Sequence, residues 1–148
     1  MKWVNYWVRS LRNEDKVAII EGLAVADNAR QRKRGFIKAI ERKRVKIGGV
    51  RTSRLGTEKA AEVFQAMWMR YPDLKAVYCS NDAMALGVLQ QMQEKKCYLP
   101  VVGFDNDAVM KEFLSTGKLV ATADIFSSQM AVRGIEFALD VLEGRNRE

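Results

Sequence analysis

Residues 75–92, KAVYCSNDAMALGVLQQM, contain a complete transition from a strand to a helix. The first six residues, KAVYCS, form a short apolar run of the length of a buried strand. Asn81 and Asp82 follow, and both are residue types that cap the N-termini of helices. Residues 83–93 are uncharged and rich in helix-forming side chains. The pattern therefore predicts a strand over residues 75–80 and a helix over residues 82–95.

The same alternation of short apolar runs and longer helical patterns extends along the chain in both directions. Strands are predicted over residues 16–20, 45–50, 75–80, 98–104 and 119–123. Helices are predicted over residues 2–11, 27–42, 57–71, 82–95, 107–116 and 127–144. Strict alternation predicts an α/β fold, a doubly wound parallel sheet of five strands with helices on both faces. Right-handed crossovers favour the flavodoxin-like strand order 2-1-3-4-5.

The composition excludes several classes of chemistry. The chain has 148 residues, which fits one domain, and it contains no histidine. The absence of histidine excludes Ser-His-Asp and Cys-His catalysis, HExxH metal sites and Cys2His2 zinc sites. Cys79 and Cys97 are the only cysteines, and their separation fits neither a CxxC pair nor a four-ligand metal site. We therefore expect no catalytic residue, no metal and no cofactor, and the protein is not expected to be an enzyme.

The net charge of +7 is concentrated in one segment. Nine basic residues and a single acid, Glu41, lie between Arg30 and Lys46. Such a segment can be a patch for nucleic acid or anionic lipid, or the solvated face of an amphipathic helix. The second interpretation is favoured, because Phe36, Ile37 and Ile40 give the predicted helix an apolar side and no base-reading motif is present. No nucleic acid partner is expected.

Polar side chains follow four of the five predicted strands. Arg30 enters the helix after the first strand, Asn81 follows the third, Asp105 the fourth and Asp124 the fifth. The carboxyl ends of parallel strands share one edge of the sheet, where open α/β sheets bind their ligands. A guanidinium, an amide and carboxylates suit the hydroxyl groups of a neutral polyhydroxy ligand. These four residues are the predicted ligand-binding residues.

The polar residues at the strand ends have two other interpretations. Asn81, Asp82 and Asp107 can be helix caps, and for Asp82 and Asp107 capping is the favoured interpretation. An aspartate cluster at strand ends is also typical of a phosphoacceptor site. That site requires two acids after the first strand and a lysine after the fifth, whereas Glu21 stands alone and Ile125 and Phe126 follow the fifth strand.

Four segments resemble a known family. They are KVAIIEGLAVADNARQRKRGF (residues 16–36), YPDLKAVYCSNDAMALGVLQQM (71–92), VVGFD (101–105) and GKLVATAD with the helix after it (117–144). Together they are similar to the second lobe of type I periplasmic sugar-binding proteins of the ribose-binding kind. The pair NDAMALG and VVGFD at this spacing is the most specific part of the resemblance.

The resemblance implies one lobe of a two-lobed protein that clamps a monosaccharide by hinge closure. It matches Arg30, Asn81 and Asp105 with the family's ligand-binding arginine, asparagine and aspartate. Where the family often has glutamine, this sequence has Ile125, beside Asp124. The resemblance also divides the chain into a sugar-binding lobe, residues 1–126, and a helix, residues 127–148, that crosses to the missing first lobe. The isolated lobe is therefore expected to bind sugar weakly.

The resemblance also implies partners and a location. The family serves ABC sugar importers, so the full-length protein is expected to contact a membrane permease. The unpartnered last helix, together with Trp3 and Trp7, predicts a homo-oligomer. The family is periplasmic, whereas residues 1–10 lack the features of a secretory signal, so the chain made as given is expected in the cytoplasm.

Two alternative functions remain open at this point. The effector-binding core of lac-repressor-type transcription regulators shares this fold, although no helix-turn-helix precedes residue 16. A lone flavodoxin-like enzyme is disfavoured because the sequence lacks histidine and a phosphate-binding loop.

Overall fold

The computed structural model describes residues 10–41, 43–52 and 56–145. The strands are β1 (Lys16–Glu21), β2 (Lys46–Thr52), β3 (Leu74–Cys79), β4 (Val101–Asp105) and β5 (Leu119–Asp124). The helices are α1 (Asp27–Glu41), α2 (Thr57–Arg70), α3 (Asp82–Glu94), α4 (Lys111–Ser115) and α5 (Ser127–Leu142), with a 3-10 turn at Ala108–Met110. The predicted helix over residues 2–11, with Trp3 and Trp7, lies almost wholly outside the described residues.

The five strands form one sheet in the order β2-β1-β3-β4-β5, and every pairing is parallel. The predicted fold class and strand order are therefore confirmed. The sheet reverses its direction of growth between β1 and β3, which lie side by side at its centre. At such a reversal the following helices leave toward opposite faces and open a crevice at the carboxyl ends of the strands.

The hydrophobic core has two layers, one on each face of the sheet. Side chains of β1 alternate between them: Ala18 and Ile20 join the layer under α2 and α3, and Val17 and Ile19 join the layer under α1. Burial on both faces explains why the strands are continuous apolar runs in the sequence. Cys79 lies in the first layer as a small hydrophobic side chain, and burial raises the pKa of its thiol.

Two predicted elements differ from the structure. The fourth strand begins at Val101 instead of residue 98, after Pro100, which has no backbone N–H to donate to the sheet. The single helix predicted over residues 107–116 is a 3-10 turn followed by the five-residue α4. Gly117, with φ of 72°, follows the end of α4.

The last helix, α5, is exposed along almost its whole length. Asp140 is its one buried residue, whereas several large apolar side chains face solvent. These exposed side chains are Met130, Val132, Ile135, Phe137, Leu139, Val141 and Leu142. Among the described residues, no helix has the length and hydropathy needed to cross a bilayer.

Candidate functional site

The crevice between β1 and β3 holds a hollow of about 170 Å³. Its lining comes from the loop after β1, from the first turns of α1 and from the end of β3, and includes Gly22, Ala29, Arg32, Ser80 and Asn81. Pockets for small molecules usually measure about 300–1,000 Å³. The hollow is therefore smaller than a typical pocket for a small molecule.

Asn81 begins α3. It adopts an extended backbone conformation as the N-cap residue, and its Oδ1 accepts a hydrogen bond from the backbone N–H of Met84 at 3.0 Å. The sequence-based suggestion that Asn81 is a cap is confirmed. Capping uses only the side-chain oxygen. Within the described residues the Nδ2 group has no hydrogen-bond partner, so it remains available as a donor at the rim of the hollow.

Arg32 connects the ends of β3 and β4. Its Nη1 donates to the backbone carbonyl of Ser80 at 3.0 Å, and its Nη2 forms an ion pair with Oδ1 of Asp105 at 3.0 Å. The guanidinium also lies 4.0 Å from the centroid of the Phe104 ring. Only 16% of the Arg32 side chain is exposed. These contacts hold a charged, planar group of donors at the edge of the sheet.

Arg30 has different surroundings. Its Nη2 lies 2.8 Å from Oδ1 of Asp27, its side chain is 58% exposed, and it does not contribute to the lining of the hollow. The carboxylate of Asp27, in the first turn of α1, accepts hydrogen bonds from the side chains of Arg30 and Gln31. These hydrogen bonds hold the pKa of Asp27 below its usual range.

Arg32 was missed in the sequence, although a signal for it was present. Residues two apart on a helix point about 200° apart, so Arg30 and Arg32 cannot both face the sheet. Arg32 lies four residues before Phe36 and eight before Ile40, which are the buried residues of α1. It therefore shares the inward face of the helix.

Asp105 and Asn106 form a strained turn after β4. Both have positive φ angles, 111° and 61°, although neither is glycine. The Asp105 carboxylate lies against the Arg32 guanidinium. Burial raises the pKa of Asp105, and the positive charge of Arg32 opposes that rise. Non-glycine residues with this geometry persist only when surrounding contacts impose it, and they cluster at functional sites.

A hydrogen-bonded network holds this turn. Asp82 accepts from the hydroxyl of Thr122 at 2.8 Å and from the backbone N–H of Asp107 at 2.9 Å. Thr122 Oγ1 in turn accepts from the backbone N–H of Asn106 at 3.1 Å, and Asn106 Nδ2 donates to Asp124 at 3.0 Å. Burial raises the pKa of Asp82.

The favoured interpretation of Asp82 and Asp107 as caps is therefore wrong in its detail. Asp82 stands in the first turn of α3, but its carboxylate bonds to Thr122 and Asp107 instead of its own helix. Asp107 occupies the N-cap position of the 3-10 turn without a side-chain capping bond. Neither arrangement is visible in the sequence, because the partners are 25 and 40 residues away.

The structure thus links three of the four predicted ligand-binding residues. Asn81 and Asp105 are joined through Arg32, which contacts Ser80 beside Asn81, and Asp124 is tied to the Asp105 turn through Asn106. Arg30 stands outside this set of contacts. In the part of the chain that the structure describes, no group of three or more acidic or cysteine side chains could hold a metal ion.

The chain is similar to known proteins over most of its length. The family described as "Periplasmic binding protein domain" matches residues 2–146. The D-ribose/D-allose-binding protein of Pseudomonas aeruginosa is 38% identical over 145 residues, which are 97% of this chain and 46% of that protein. The chain spans about half the length of the curated relatives it matches.

Two solved structures are similar to this chain over almost its whole length. An ABC transporter solute-binding protein from Burkholderia multivorans superposes with a TM-score of 0.91 at 35% identity, over 97% of this chain and 52% of that one. A periplasmic solute-binding protein from Actinobacillus succinogenes with bound D-allose gives 0.92 at 25% identity, over 99% and 53%.

A relative of another class also matches. The Bacillus subtilis protein described as "Probable HTH-type transcriptional repressor ExuR" is 32% identical over 110 residues, which are 70% of this chain and 32% of that protein. The shared region therefore occurs both in transport proteins and in a protein described as a regulator.

Proposed function

Because the chain belongs to the family of periplasmic binding protein domains, we propose that it is one lobe of a sugar-binding protein, with its ligand at the carboxyl ends of β1, β3 and β4. The ligand class is a monosaccharide, and D-ribose and D-allose are the first candidates, from the name of the Pseudomonas relative. The lobe binds and releases the sugar without chemical change, as its relatives are binding proteins and not enzymes.

The observation that carries the proposal is the group formed by Arg32, Asn81 and Asp105. The guanidinium and the free Nδ2 group of Asn81 are donors, and the Asp105 carboxylate is an acceptor. A sugar hydroxyl both donates and accepts, so it can bridge a carboxylate and a cationic donor. Charge-assisted hydrogen bonds of this kind are roughly twice as strong as neutral ones.

A single lobe supplies only one wall of the cleft. Half of the hydrogen bonds are then absent and water has free access to the rest, so we expect weak affinity, of millimolar order, about 4 kcal/mol of binding free energy. Micromolar affinity of the monomer in calorimetry would contradict the single-lobe interpretation.

The test is a titration of 15N-labelled protein with D-ribose and D-allose, followed by amide chemical shifts. Saturable shifts are expected at Gly22, Ser80, Asn81 and Asp105. Arg32→Gln is expected to abolish them, whereas Arg30→Gln leaves them unchanged. Arg34→Gln, an exposed position on the same helix, is the matched control for the loss of one positive charge. Loss of the shifts in Arg30→Gln but not in Arg32→Gln would reverse the assignment of the arginine.

The import function belongs to the full-length protein. We propose that a protein containing this lobe works in the periplasm and delivers sugar to the membrane permease of an ABC importer. The proposal rests on the family and on the relatives' descriptions. Co-purification of the full-length protein with its permease, lost on deletion of the lobe, is the expected result. Import that survives that deletion would contradict it.

The exposed apolar face of α5 supports a homo-oligomer when the lobe is isolated. Ile135 and Phe137 are more than half exposed, and such side chains are commonly covered in an assembly. Sedimentation velocity is expected to show association as concentration rises, and Phe137→Glu is expected to reverse it. A strictly monomeric profile at high concentration would exclude self-association.

A second candidate is the effector-binding core of a lac-repressor-type regulator. The similarity to the Bacillus protein favours it, and the same strand-end site would then hold a small effector. The coding sequence upstream of residue 1 discriminates between the two candidates. A first sugar-binding lobe supports the transport function, and a helix-turn-helix supports the regulator.

A further inference from the structure

Asp82 is a fully buried carboxyl group that the proposed sugar contacts do not use. It lies in the first turn of α3, just after β3, yet its partners are Thr122 on β5 and the backbone N–H of Asp107 beyond β4. Its oxygens therefore join three strand ends that are far apart in the sequence. A carboxyl group at zero exposure requires such partners, because burying it without hydrogen bonds would be costly.

The ionised carboxylate fixes the direction of every bond in the network. A carboxylate only accepts, so the hydroxyl of Thr122 must donate its one proton to Asp82, at 2.8 and 2.9 Å from the two oxygens. The lone pairs of Thr122 Oγ1 then remain to accept from the N–H of Asn106 at 3.1 Å. Asp82 also accepts directly from the N–H of Asp107. Two consecutive amides of the turn are thus held, one directly and one through Thr122.

These are the amides of the turn whose backbone is strained. Asp105 and Asn106 have φ of 111° and 61°, a region that non-glycine residues enter only under constraint. Gly103 completes the arrangement, because a Cβ atom there would lie 2.1 Å from Oδ1 of Asp82. The carboxylate can approach β4 only because position 103 has no side chain.

We propose that Asp82 and Thr122 are positioning residues that lock the Asp105–Asn106 turn in its positive-φ conformation and so direct the Asp105 carboxylate toward the sugar. This inference rests on the proposed function for its second half. The first half, the lock on the backbone, stands without any ligand. Asp82 and Thr122 need not touch the sugar, because they act through the turn.

The experiment compares Thr122→Val with Thr122→Ser. Valine keeps the shape of threonine but removes the hydroxyl, which leaves Asn106 N–H without its acceptor and Asp82 with the Asp107 N–H alone. Serine keeps the hydroxyl and both bonds. A strong intraresidue HN–Hα cross-peak marks a positive φ in NMR spectra, and it is expected at Asn106 in the wild type and in Thr122→Ser. It is expected to weaken in Thr122→Val.

A second variant distinguishes a specific effect on the turn from a general loss of stability. Ile40→Ala removes a buried side chain near the C-terminal end of α1, away from the carboxyl ends of the strands. It is expected to lower the resistance to urea at least as much as Thr122→Val while leaving the Asn106 cross-peak intact. A cross-peak that persists in Thr122→Val, or that is lost equally in Ile40→Ala, would overturn the lock.

Sugar titration of the same variants tests the second half. Thr122→Val is expected to lower the sugar affinity, measured from the amide shifts, roughly tenfold, which is the scale of one lost hydrogen bond. Thr122→Ser is expected to bind the sugar as the wild type does. Unchanged sugar binding in Thr122→Val with an altered turn would overturn the link to the ligand. If the wild type shows no sugar-induced shifts, the proposed function fails, while the cross-peak still decides whether Asp82 and Thr122 lock the turn.

Discussion

At the scale of single residues, the two sequence motifs NDAMALG and VVGFD pack against each other. The aspartate of the first packs its carboxylate against the glycine of the second, where a Cβ atom would approach Asp82 to 2.1 Å. The aspartate of the second, Asp105, meets the guanidinium of Arg32. Residues of the two motifs therefore meet where β3 and β4 lie side by side.

Gly103→Ala is expected to destabilise the protein by about 1–3 kcal/mol, because the added methyl group would displace Asp82 from its hydrogen bonds. Gly134→Ala is the matched control, since nothing lies within 4 Å of the added atom there. Alanine in the middle of α5 is expected to stabilise its helix by up to about 1 kcal/mol. Urea unfolding measures both changes. Equal effects of the two substitutions would contradict the close approach of Asp82.

The raised pKa of Asp82 predicts a pH dependence of stability. In the unfolded chain the pKa of Asp is about 3.9, so the native state binds the proton more tightly than the unfolded state. The contribution of Asp82 to stability therefore rises as pH falls from 7 through its raised pKa, and levels off below the unfolded value.

The measurement is the difference in free energy of unfolding between the wild type and Asp82→Asn, by urea titration from pH 7 to about pH 4. The difference is expected to shift in favour of the wild type as pH decreases. Asp105 and the exposed acids are present in both proteins, so their titrations largely cancel. A difference that is flat, or that favours the wild type more at high pH, would contradict the raised pKa.

At the scale of elements, the packing of α1 and α3 fixes the positions of the residues in the candidate site. The N-terminus of α3 is fixed by the Asn81 cap and by the contact of Gly87 with α2, where a Cβ atom would lie 1.9 Å from the carbonyl oxygen of Thr57. The face of α1 that packs on the sheet carries Phe36, Ile40 and, at its first turns, Arg32. The helix therefore delivers a charged group to the crevice by the same periodicity that buries its apolar side.

Asn81→Ala is expected to cost about 1 kcal/mol of stability through the lost cap, and Asn81→Ser to cost little, because serine caps as well as asparagine. Both substitutions remove the Nδ2 donor. Sugar-induced amide shifts are therefore expected to weaken in both, while only alanine changes the urea midpoint. If sugar binding is weakened in Asn81→Ala but normal in Asn81→Ser, then the Asn81 side chain acts only as a helix cap and does not donate to the sugar.

At the scale of the whole molecule, burial is unevenly distributed. The sheet is covered by α1 on one face and by α2 and α3 on the other, with Phe36 stacked on Tyr78 at 4.3 Å between ring centroids. By contrast, α5 follows β5 and exposes most of its apolar side chains. The stability of the monomer is therefore expected to depend on the sheet and its covering helices and not on α5.

Phe36→Ala is expected to cost about 3–5 kcal/mol, as for other buried aromatic side chains. Phe137→Ala, at a position 60% exposed, is expected to change stability by less than about 0.5 kcal/mol. Urea unfolding at a protein concentration low enough to keep the chain monomeric measures both values. A loss of more than about 1 kcal/mol in Phe137→Ala would show that α5 packs on the sheet domain in solution.

The features that depend on local periodicity could be predicted from the sequence alone. Alternating apolar runs and helical patterns predicted the five-stranded parallel sheet and its order, and the polar residues after the strands predicted the edge where the candidate site lies. The cap at Asn81 was also predicted, because capping depends on residues adjacent in the chain.

Which charged groups meet depends on how separate elements pack together. Arg32 rather than Arg30 joins the ends of β3 and β4, because the rotation of α1 is set by packing Phe36 and Ile40 on the sheet. The carboxylate of Asp82 accepts from Thr122, 40 residues away, instead of capping its own helix. A buried carboxylate requires hydrogen bonds, and it takes them from the groups that the fold brings near it. Such long-range contacts leave no periodic signal in one sequence, because they arise only when separate elements pack together.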